Sequence, residues 1–300
     1  MNRSKQYIAT LAVALTLLSC GFSPRQQGAL ADNNSQTETA GDNNSETSRA
    51  GYSDDSNLAD ESSSSDDASY TVPDSLLPLT KKGIPEQLLR RKAYVCSFNS
   101  STLMPNWVAW KLTAAHTDGD VQRKGVKFHT DDDVPEAYRV TTYDYIQSGY
   151  DRGHMCPAGD NKWDVTAMQE SFLMTNVCPQ YKGLNSGVWN DIEIKCRDWA
   201  RDEGDVYIVC GPVFFEKRKE RELIGASRIP VPDAFFKVVL SNKHKGKGIG
   251  FVCENRGGGY DLNDYSMSIN EVEELTGIDF FPALPDAMEE RIEGTVGRFR

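Results

Sequence analysis

The sequence predicts an α+β domain spanning residues 71–300. Runs rich in β-branched and aromatic residues indicate strands, and apolar residues at helical spacing indicate helices. The two kinds of segment are mixed without a repeating strand–helix–strand order, which favours α+β over a doubly wound parallel sheet. We expect strands at Ala93–Asn99, Trp107–Thr113, Tyr207–Phe215, Phe235–Leu240 and Gly248–Glu254, and helices at Glu170–Thr175, Asn185–Arg201, Asn270–Thr276 and Asp286–Gly294.

The longest predicted helix has two distinct faces. One face carries apolar side chains at spacings of four, four and three residues and is expected to be buried; these are Val188, Ile192, Cys196 and Trp199. On another face Glu193 precedes Arg197 by four residues, which places the two charged side chains within reach of each other.

Residues 1–20 are predicted to be a signal peptide and are excluded from the fold. Arg3 and Lys5 give a positive start, and Ile8–Leu18 is an apolar run shorter than the about 20 residues that a membrane-spanning helix needs. The run leads into Leu-Leu-Ser-Cys-Gly, which resembles the signal of bacterial lipoproteins. That resemblance implies that Cys20 becomes a lipidated first residue and a membrane anchor. An ordinary signal peptide with a chance cysteine is the alternative.

Residues 21–70 are predicted to be a disordered linker. This stretch is rich in Ser, Asn and Asp and has few large apolar residues, so it buries too little surface to offset the entropy of ordering. It carries 10 acidic and 2 basic residues, which leaves a net charge of −5 for residues 71–300. A mildly acidic domain disfavours a protein that coats nucleic acid, but it allows an enzyme with local positive charge at its cleft.

Six cysteines remain when Cys20 is set aside: Cys96, Cys156, Cys178, Cys196, Cys210 and Cys253. An even number in an exported chain permits several disulfide pairings, and the sequence does not choose among them. No Cys-x-x-Cys pair exists, and the four histidines show no two-His metal spacing. A zinc ribbon or a zinc protease is therefore disfavoured.

The segment Asp151-Arg152-Gly153-His154 concentrates an acid, a base and a histidine around a glycine. Histidine suits general-base chemistry because its ordinary pKa lies near neutrality. Taken alone, a histidine beside an aspartate is more often a hydrogen-bonded structural residue. The interpretation as a catalytic site depends on other segments.

Those segments follow in order along the chain. They are Pro105–Trp110, Arg123, Phe128, Asp131, Thr175–Gln180, Leu184–Trp189, Asp191, Glu193, Arg197, Gly211–Phe214, Val231–Asp233 and Phe235–Lys237. With Asp151–His154 they resemble the DNA/RNA non-specific endonucleases, the Serratia-type family of the ββα-metal superfamily. The resemblance covers most of residues 71–300. It implies a central, largely antiparallel sheet flanked by helices, with a ββα-metal motif at the active site.

The resemblance also implies residue roles at the metal and the attacking water. His154 acts as the general base, and Asn185 is the direct protein ligand of a single Mg²⁺, with Mn²⁺ as the other possible ion. Glu193 holds the water shell of that ion. Hard cations such as Mg²⁺ prefer oxygen ligands and keep several waters, so one amide oxygen is a plausible protein ligand.

Further roles concern the phosphate and the shape of the pocket. Arg152 and Arg123 neutralise charge on the phosphate, which the planar guanidinium group suits. Arg197 supports Glu193 or the phosphate, and Asn176 helps to shape the pocket. Asp151 is expected to fix the loop that presents His154.

Simpler interpretations exist for individual residues. Asn185 also fits a helix cap, and Glu193 with Arg197 fits a surface ion pair. Five large aromatic residues are expected to lie in the core, not to stack on nucleobases: Trp107, Trp110, Trp189, Phe235 and Phe236.

Cys156 and Cys178 stand where many members of the family have small residues. Because both flank the implied site, we expect a Cys156–Cys178 disulfide that braces the His154 loop. A cysteine nucleophile is the rival interpretation, and nothing else in the sequence indicates acyl transfer.

The resemblance implies an exported, Mg²⁺-dependent endonuclease that hydrolyses DNA and RNA without strong sequence preference and leaves 5′-phosphate ends. A nucleic-acid-binding lipoprotein without catalysis is one alternative. A phosphodiesterase of the same superfamily with a narrower substrate is another.

Overall fold

The computed structural model describes residues 72–202, 204–218, 220–241, 246–259 and 261–299. The predicted signal peptide, Cys20 and the predicted linker lie outside these residues. Among the described residues, no helix combines the length and apolar character that crossing a membrane requires.

A seven-stranded antiparallel sheet forms the centre of the domain, in the order β1-β2-β3-β6-β9-β10-β11. Its strands are β1 (Gln87–Arg90), β2 (Tyr94–Asn99), β3 (Met104–Leu112), β6 (Val206–Val213), β9 (Ala234–Ser241), β10 (Lys247–Glu254) and β11 (Ser266–Met267). The five predicted strands are confirmed, each within three residues at its ends.

Two short hairpins and six α-helices complete the described part of the chain. The hairpins pair β4 (Asp151–His154) with β5 (Val177–Gln180) and β7 (Leu223–Ile224) with β8 (Ile229–Pro230). The helices are α1 (Ala114–Thr117), α2 (Val165–Glu170), α3 (Lys182–Asn185), α4 (Val188–Asp202), α5 (Ile269–Thr276) and α6 (Asp286–Glu293). The predicted α+β class and the antiparallel sheet flanked by helices are confirmed, and β4, β5 and the helices that follow form the expected ββα arrangement.

The sheet is covered on both faces, as β9 illustrates. All eight of its residues are buried. Phe235 and Val239 belong to the core that includes the buried face of α4, whereas Phe236 and Val238 belong to the core that includes residues of α5 and α6. Successive strand residues point to opposite faces. Lys237 therefore lies on the same face of the sheet as α4.

The predicted core residues are confirmed. The α4 side chains Val188, Ile192, Cys196 and Trp199 are all buried. Trp107, Trp110, Trp189, Phe235 and Phe236 are each exposed by 2% or less.

The predicted helix at Glu170–Thr175 is wrong. The helix lies earlier, because the Asp164 carboxylate accepts a hydrogen bond from the Ala167 N–H (2.9 Å) and caps its first turn. After Glu170 the chain bridges to His129 through backbone hydrogen bonds at Phe172 and Met174. These tertiary bonds replace the helical ones.

The predicted Cys156–Cys178 disulfide is also wrong, since both cysteines are free and buried. The register of β4 and β5 places Cys178 opposite Gly153, three residues before Cys156. Three strand residues span roughly 10 Å, and a disulfide needs α-carbons within about 7 Å. All six cysteines of the described residues are buried thiols, and burial raises the pKa of each.

Candidate active site

A cavity of about 680 Å³ brings together six of the seven predicted catalytic and metal-binding residues. Its lining includes Arg123, Arg152, His154, Asn185, Glu193 and Arg197. These side chains come from the loop before Phe128, from β4, from the end of α3 and from α4. The seventh residue, Asn176, does not line the cavity.

Strand β4 presents two of these side chains side by side. Arg152 and His154 are two residues apart in a strand, so they point to the same side. Gly153 between them lies against the partner strand, where an added β-carbon would fall 2.2 Å from the Gln180 Oε1 atom. A side chain at position 153 would clash with the buried side chain of Gln180, so Gly153 is required for β4 to pair with β5 as observed.

The imidazole of His154 sits between two phenylalanine rings. Its centroid lies 5.0 Å from that of Phe128 and 4.9 Å from that of Phe172. Its Nε2 atom is buried and has no hydrogen-bond partner in the described part of the chain, which leaves Nδ1 as the nitrogen available to the cavity. Burial, followed by the positive charges of Arg123 and Arg152, lowers the pKa of His154 to about 3. The ring is consequently neutral near pH 7, which is the form that a general base must have before it takes a proton. Its low pKa makes it a weak base until a bound anion offsets the charges of Arg123 and Arg152.

The same two phenyl rings support the two guanidinium groups. Arg152 lies 4.8 Å from the centroid of Phe128, and Arg123 lies 5.7 Å from that of Phe172. Within the described ranges, neither guanidinium forms an ion pair with a carboxylate. Their charge therefore remains available to an anion in the cavity.

The side chain of Asn185 is oriented by Asp151. The Nδ2 atom of Asn185 donates a hydrogen bond to the Asp151 carboxylate at 3.0 Å. An ionised carboxylate only accepts hydrogen bonds, so the amide nitrogen must face it. The amide oxygen of Asn185 is thereby left for another partner. Asp151 thus has a more specific role than the loop-fixing role that the sequence predicted.

Arg197 pairs with an acid that the sequence analysis did not identify. Its Nη1 atom lies 2.9 Å from Oδ1 of Asp160, and the other oxygen of Asp160 accepts a hydrogen bond from Trp110 Nε1 at 3.0 Å. The predicted support of Glu193 by Arg197 is therefore electrostatic, with the hydrogen bond going to Asp160. Burial raises the pKa of Glu193 to about 7, and Lys237 contributes most to opposing that rise.

Lys237 is a fully buried cation beneath this part of the cavity. Its Nζ atom has no hydrogen-bond partner among the residues that the structure describes, and it lies 4.4 Å from the ring of Trp189 and 5.1 Å from that of Trp110. With Arg197 it balances the two carboxylates of Asp160 and Glu193. The sequence placed Lys237 in a matching segment without assigning it a role.

Asn176 acts behind the cavity. Its side chain accepts a hydrogen bond from the Cys156 N–H (2.9 Å) and donates to the carbonyls of Cys156 and Ser171 (both 2.8 Å). This fully buried amide ties the chain beyond His154 to the end of α2. The geometry supports a shaping role for Asn176, and it places no atom of Asn176 in the cavity.

The donor atoms of the cavity fit a hard cation. Asn185 offers an amide oxygen and Glu193 a carboxylate, which are ligand types that Mg²⁺ accepts directly or through water. Among the described residues, no group of three His, Cys, Asp or Glu side chains is arranged to hold a metal ion. The cavity is thus suited to an ion that keeps most of its waters, and unsuited to structural zinc.

Comparison with known proteins identifies relatives of the chain. The chain is 35% identical to Nuclease EXOG, mitochondrial, of Xenopus laevis, over 71% of this chain and 64% of that protein. It is 32% identical to Endonuclease G, mitochondrial, of Homo sapiens, over 72% of this chain and 71% of that protein. The chain spans 64% of the EXOG proteins of Xenopus laevis and Danio rerio and 56% of those of Mus musculus and Homo sapiens.

A solved structure is similar as well. The crystal structure of the EndoG/EndoGI complex matches with a TM-score of 0.64 and 29% identity, covering 68% of this chain and 89% of that chain. Residues 77–287 match the family described as DNA/RNA non-specific endonuclease. This chain belongs to the DNA/RNA non-specific endonuclease family.

Proposed function

We propose that this protein is a metal-dependent endonuclease that hydrolyses phosphodiester bonds in DNA and RNA. The observation that carries the proposal is the meeting of a neutral imidazole, an oriented amide oxygen and unpaired guanidinium groups in one cavity. Hydrolysis of a phosphodiester needs a base for the attacking water and positive charge around the phosphate, and this cavity offers both.

His154 is the proton acceptor in this mechanism. The imidazole takes one proton from a water molecule as the water oxygen bonds to phosphorus and the bond from phosphorus to the 3′ oxygen breaks. The departing 3′ oxygen takes a proton from solvent water, the imidazolium later releases its proton to solvent, and the phosphate stays on the 5′ side. A positioned general base accelerates such a step by about 10²–10⁴-fold.

Asn185 and Glu193 would hold the cation, which we propose to be Mg²⁺, with Mn²⁺ as a substitute. When bound, it would supply Lewis-acid stabilisation of charge on the phosphate and the leaving oxygen. Asp151 keeps the Asn185 amide oxygen turned away from itself. The Glu193 carboxylate can accept hydrogen bonds from coordinated waters.

Arg123 and Arg152 account for the proposed breadth of substrate. Guanidinium groups bind phosphate oxygens, and contacts to phosphate carry no direct sequence information. An enzyme that binds its substrate mainly through phosphate contacts cleaves many different sequences.

Conversion of supercoiled plasmid tests the proposal against its alternatives. We expect nicking with Mg²⁺, none with EDTA, and a large loss in the His154→Ala variant. Binding without nicking in all conditions would favour the catalytically silent lipoprotein. Hydrolysis of bis(p-nitrophenyl) phosphate without plasmid cleavage would favour the narrower phosphodiesterase.

We also propose that the enzyme is exported and anchored by a lipid on Cys20. Support comes from the apolar run and its Leu-Leu-Ser-Cys-Gly end. Labelled palmitate should enter the wild-type protein and not the Cys20→Ser variant, and the variant should leave the membrane fraction. Equal labelling of both proteins would refute the anchor.

A further inference from the structure

The cavity is larger than the hydrolytic chemistry requires. Its volume is about 680 Å³, whereas the chemistry itself needs room only for one hydrated cation. A phosphate group adds little more. The remaining space has the size of a small-molecule subsite.

One wall of the cavity carries no charge. It consists of Thr142, Tyr145, Ile146 and Tyr150, which precede β4, and we call these four residues the uncharged wall. Ile146 is 61% exposed. The Tyr150 hydroxyl donates a hydrogen bond to Glu222 at 2.7 Å, so its polar atom already has a partner. Tyr145 is only 7% exposed, so this wall offers a ligand mainly the apolar side chain of Ile146 and the partly exposed ring of Tyr150.

The uncharged wall is held in a fixed conformation. The Asp144 carboxylate accepts hydrogen bonds from the Thr141 N–H at 3.0 Å and the Ser227 N–H at 2.9 Å, which ties the wall to the loop between β7 and β8. Gln147, directly after Ile146, has a φ of 56°, a region that side chains other than glycine rarely adopt. Such a conformation persists only where its surroundings enforce it. The exposed apolar surface is therefore preformed.

We propose that the uncharged wall binds the nucleoside next to the scissile phosphate. A nucleotide is an anion joined to an apolar, stackable base, and the cavity pairs the guanidinium groups of Arg123 and Arg152 with this wall. Stacking on apolar and aromatic side chains tolerates every base, so it agrees with cleavage at many sequences. This inference rests on the proposed nuclease function and adds a preference to it.

The preference is for nucleotides that can leave the base stack. Inside a duplex a base must unpair and unstack before it reaches a wall in a cavity, which costs free energy. The enzyme should therefore cleave single strands and unpaired regions faster than uniform duplex.

A single substrate molecule can test the subsite, because it contains both of the runs to be compared. An end-labelled single strand contains a run of ordinary nucleotides and a run of abasic deoxyribose units, and cleavage at each linkage is resolved on a gel. Full-length wild-type protein with Mg²⁺ should cleave the ordinary run about 5-fold faster than the abasic run, the lower end of what base stacking contributes.

Ile146→Ser is the informative variant, because its side chain is exposed and outside the proposed chemical machinery. It should cleave the abasic run at the wild-type rate and the ordinary run several-fold more slowly. Ile84→Ser is the matched control, since Ile84 is 42% exposed and does not line the cavity. It should behave as wild type on both runs.

Four outcomes would overturn the inference. Equal wild-type cleavage of both runs would remove the need for a base subsite. An equal loss on both runs in Ile146→Ser, or the same selective loss in Ile84→Ser, would exclude a specific role for the wall. Cleavage of neither run by the wild type would instead refute the proposed function, and the subsite with it.

Discussion

The two sides of the cavity handle charge in opposite ways. Around His154, Arg123 and Arg152 rest on phenylalanine rings without a carboxylate partner among the described residues. Around Glu193, the carboxylates of Glu193 and Asp160 are balanced by the cations of Arg197 and Lys237. The His154 side therefore presents net positive charge to an incoming phosphate. On the Glu193 side the positive and negative charges cancel.

This difference indicates that the His154 side binds the substrate phosphate, whereas the Glu193 side holds its own side chains in position. An unpaired cation at a cavity can be neutralised by a ligand, so its charge contributes to affinity. A buried, balanced cluster has little net field, but each member fixes the others, and removing one leaves an uncompensated charge. We expect substitutions on the His154 side to alter substrate turnover directly and those on the Glu193 side to act through protonation.

The largest expected effect comes from removing the base on the His154 side. His154→Ala should lower kcat by about 10²–10⁴-fold, because it removes the imidazole that takes the proton from the attacking water. Initial rates on a labelled oligonucleotide measure this. His129→Ala is the control, since His129 is an exposed histidine that does not line the cavity. Equal losses in the two variants would contradict the assignment.

Arg123→Gln should have the next largest effect. Loss of a charged contact to phosphate should lower kcat/KM by about 10–100-fold. Arg123 also lowers the pKa of His154, so its removal favours the protonated ring. The acidic limb of the kcat/KM profile should then move to higher pH. The exposed Lys124→Gln variant should keep the wild-type limb, and an unmoved limb in Arg123→Gln would disprove the coupling.

On the Glu193 side, Lys237→Met should act through the carboxylate. Lys237 opposes the burial that raises the pKa of Glu193 to about 7, so its loss raises that pKa further and protonates Glu193 at neutral pH. Activity at pH 7 should fall about fivefold for the first added pKa unit and about tenfold for each further unit, and it should recover as the pH rises. Adding Asp160→Asn, which restores the charge balance, should recover part of the loss. A pH-independent loss would refute this role.

The smallest effect is expected from Asp151→Asn. The substituted amide can still accept from Asn185 Nδ2 through its oxygen, but it also permits the reverse orientation. The Mg²⁺ concentration for half-maximal activity should rise a few-fold, with kcat at saturating Mg²⁺ close to wild type. Titration with Mg²⁺ from an EDTA-treated sample measures this. A lower kcat at saturation would assign Asp151 a role in catalysis itself.

Local patterns in the sequence predicted most of the fold. Each sheet strand longer than four residues is predicted by alternating apolar and polar residues or by a run of β-branched and aromatic residues. Helix α4 is predicted by the spacing of its apolar residues. The error at Glu170–Thr175 arose because backbone bonds to His129, 40 or more residues earlier in the chain, compete with the helix. Such tertiary competition leaves no local signal.

The site was predictable where its residues form motifs. Arg152, His154, Asn185 and Glu193 were found because they fall in matching segments. Phe172 and Asp160 were not, because nothing near them in sequence reveals that they meet His154 and Arg197. The Cys156–Cys178 error has the same origin, since proximity to a site does not give strand register.

Six interior thiols have a consequence for how the domain withstands damage. A neutral, buried sulfhydryl group reacts slowly with oxidants and alkylating reagents, so the cysteines of the folded domain are unreactive. Once heat unfolds the domain, its six cysteines become reactive and can form non-native disulfides. These disulfides prevent refolding, so the unfolding becomes irreversible. Activity lost on heating in air should therefore return on cooling far better with dithiothreitol present throughout. Identical recovery with and without the reductant would show that sulfur chemistry does not limit renaturation.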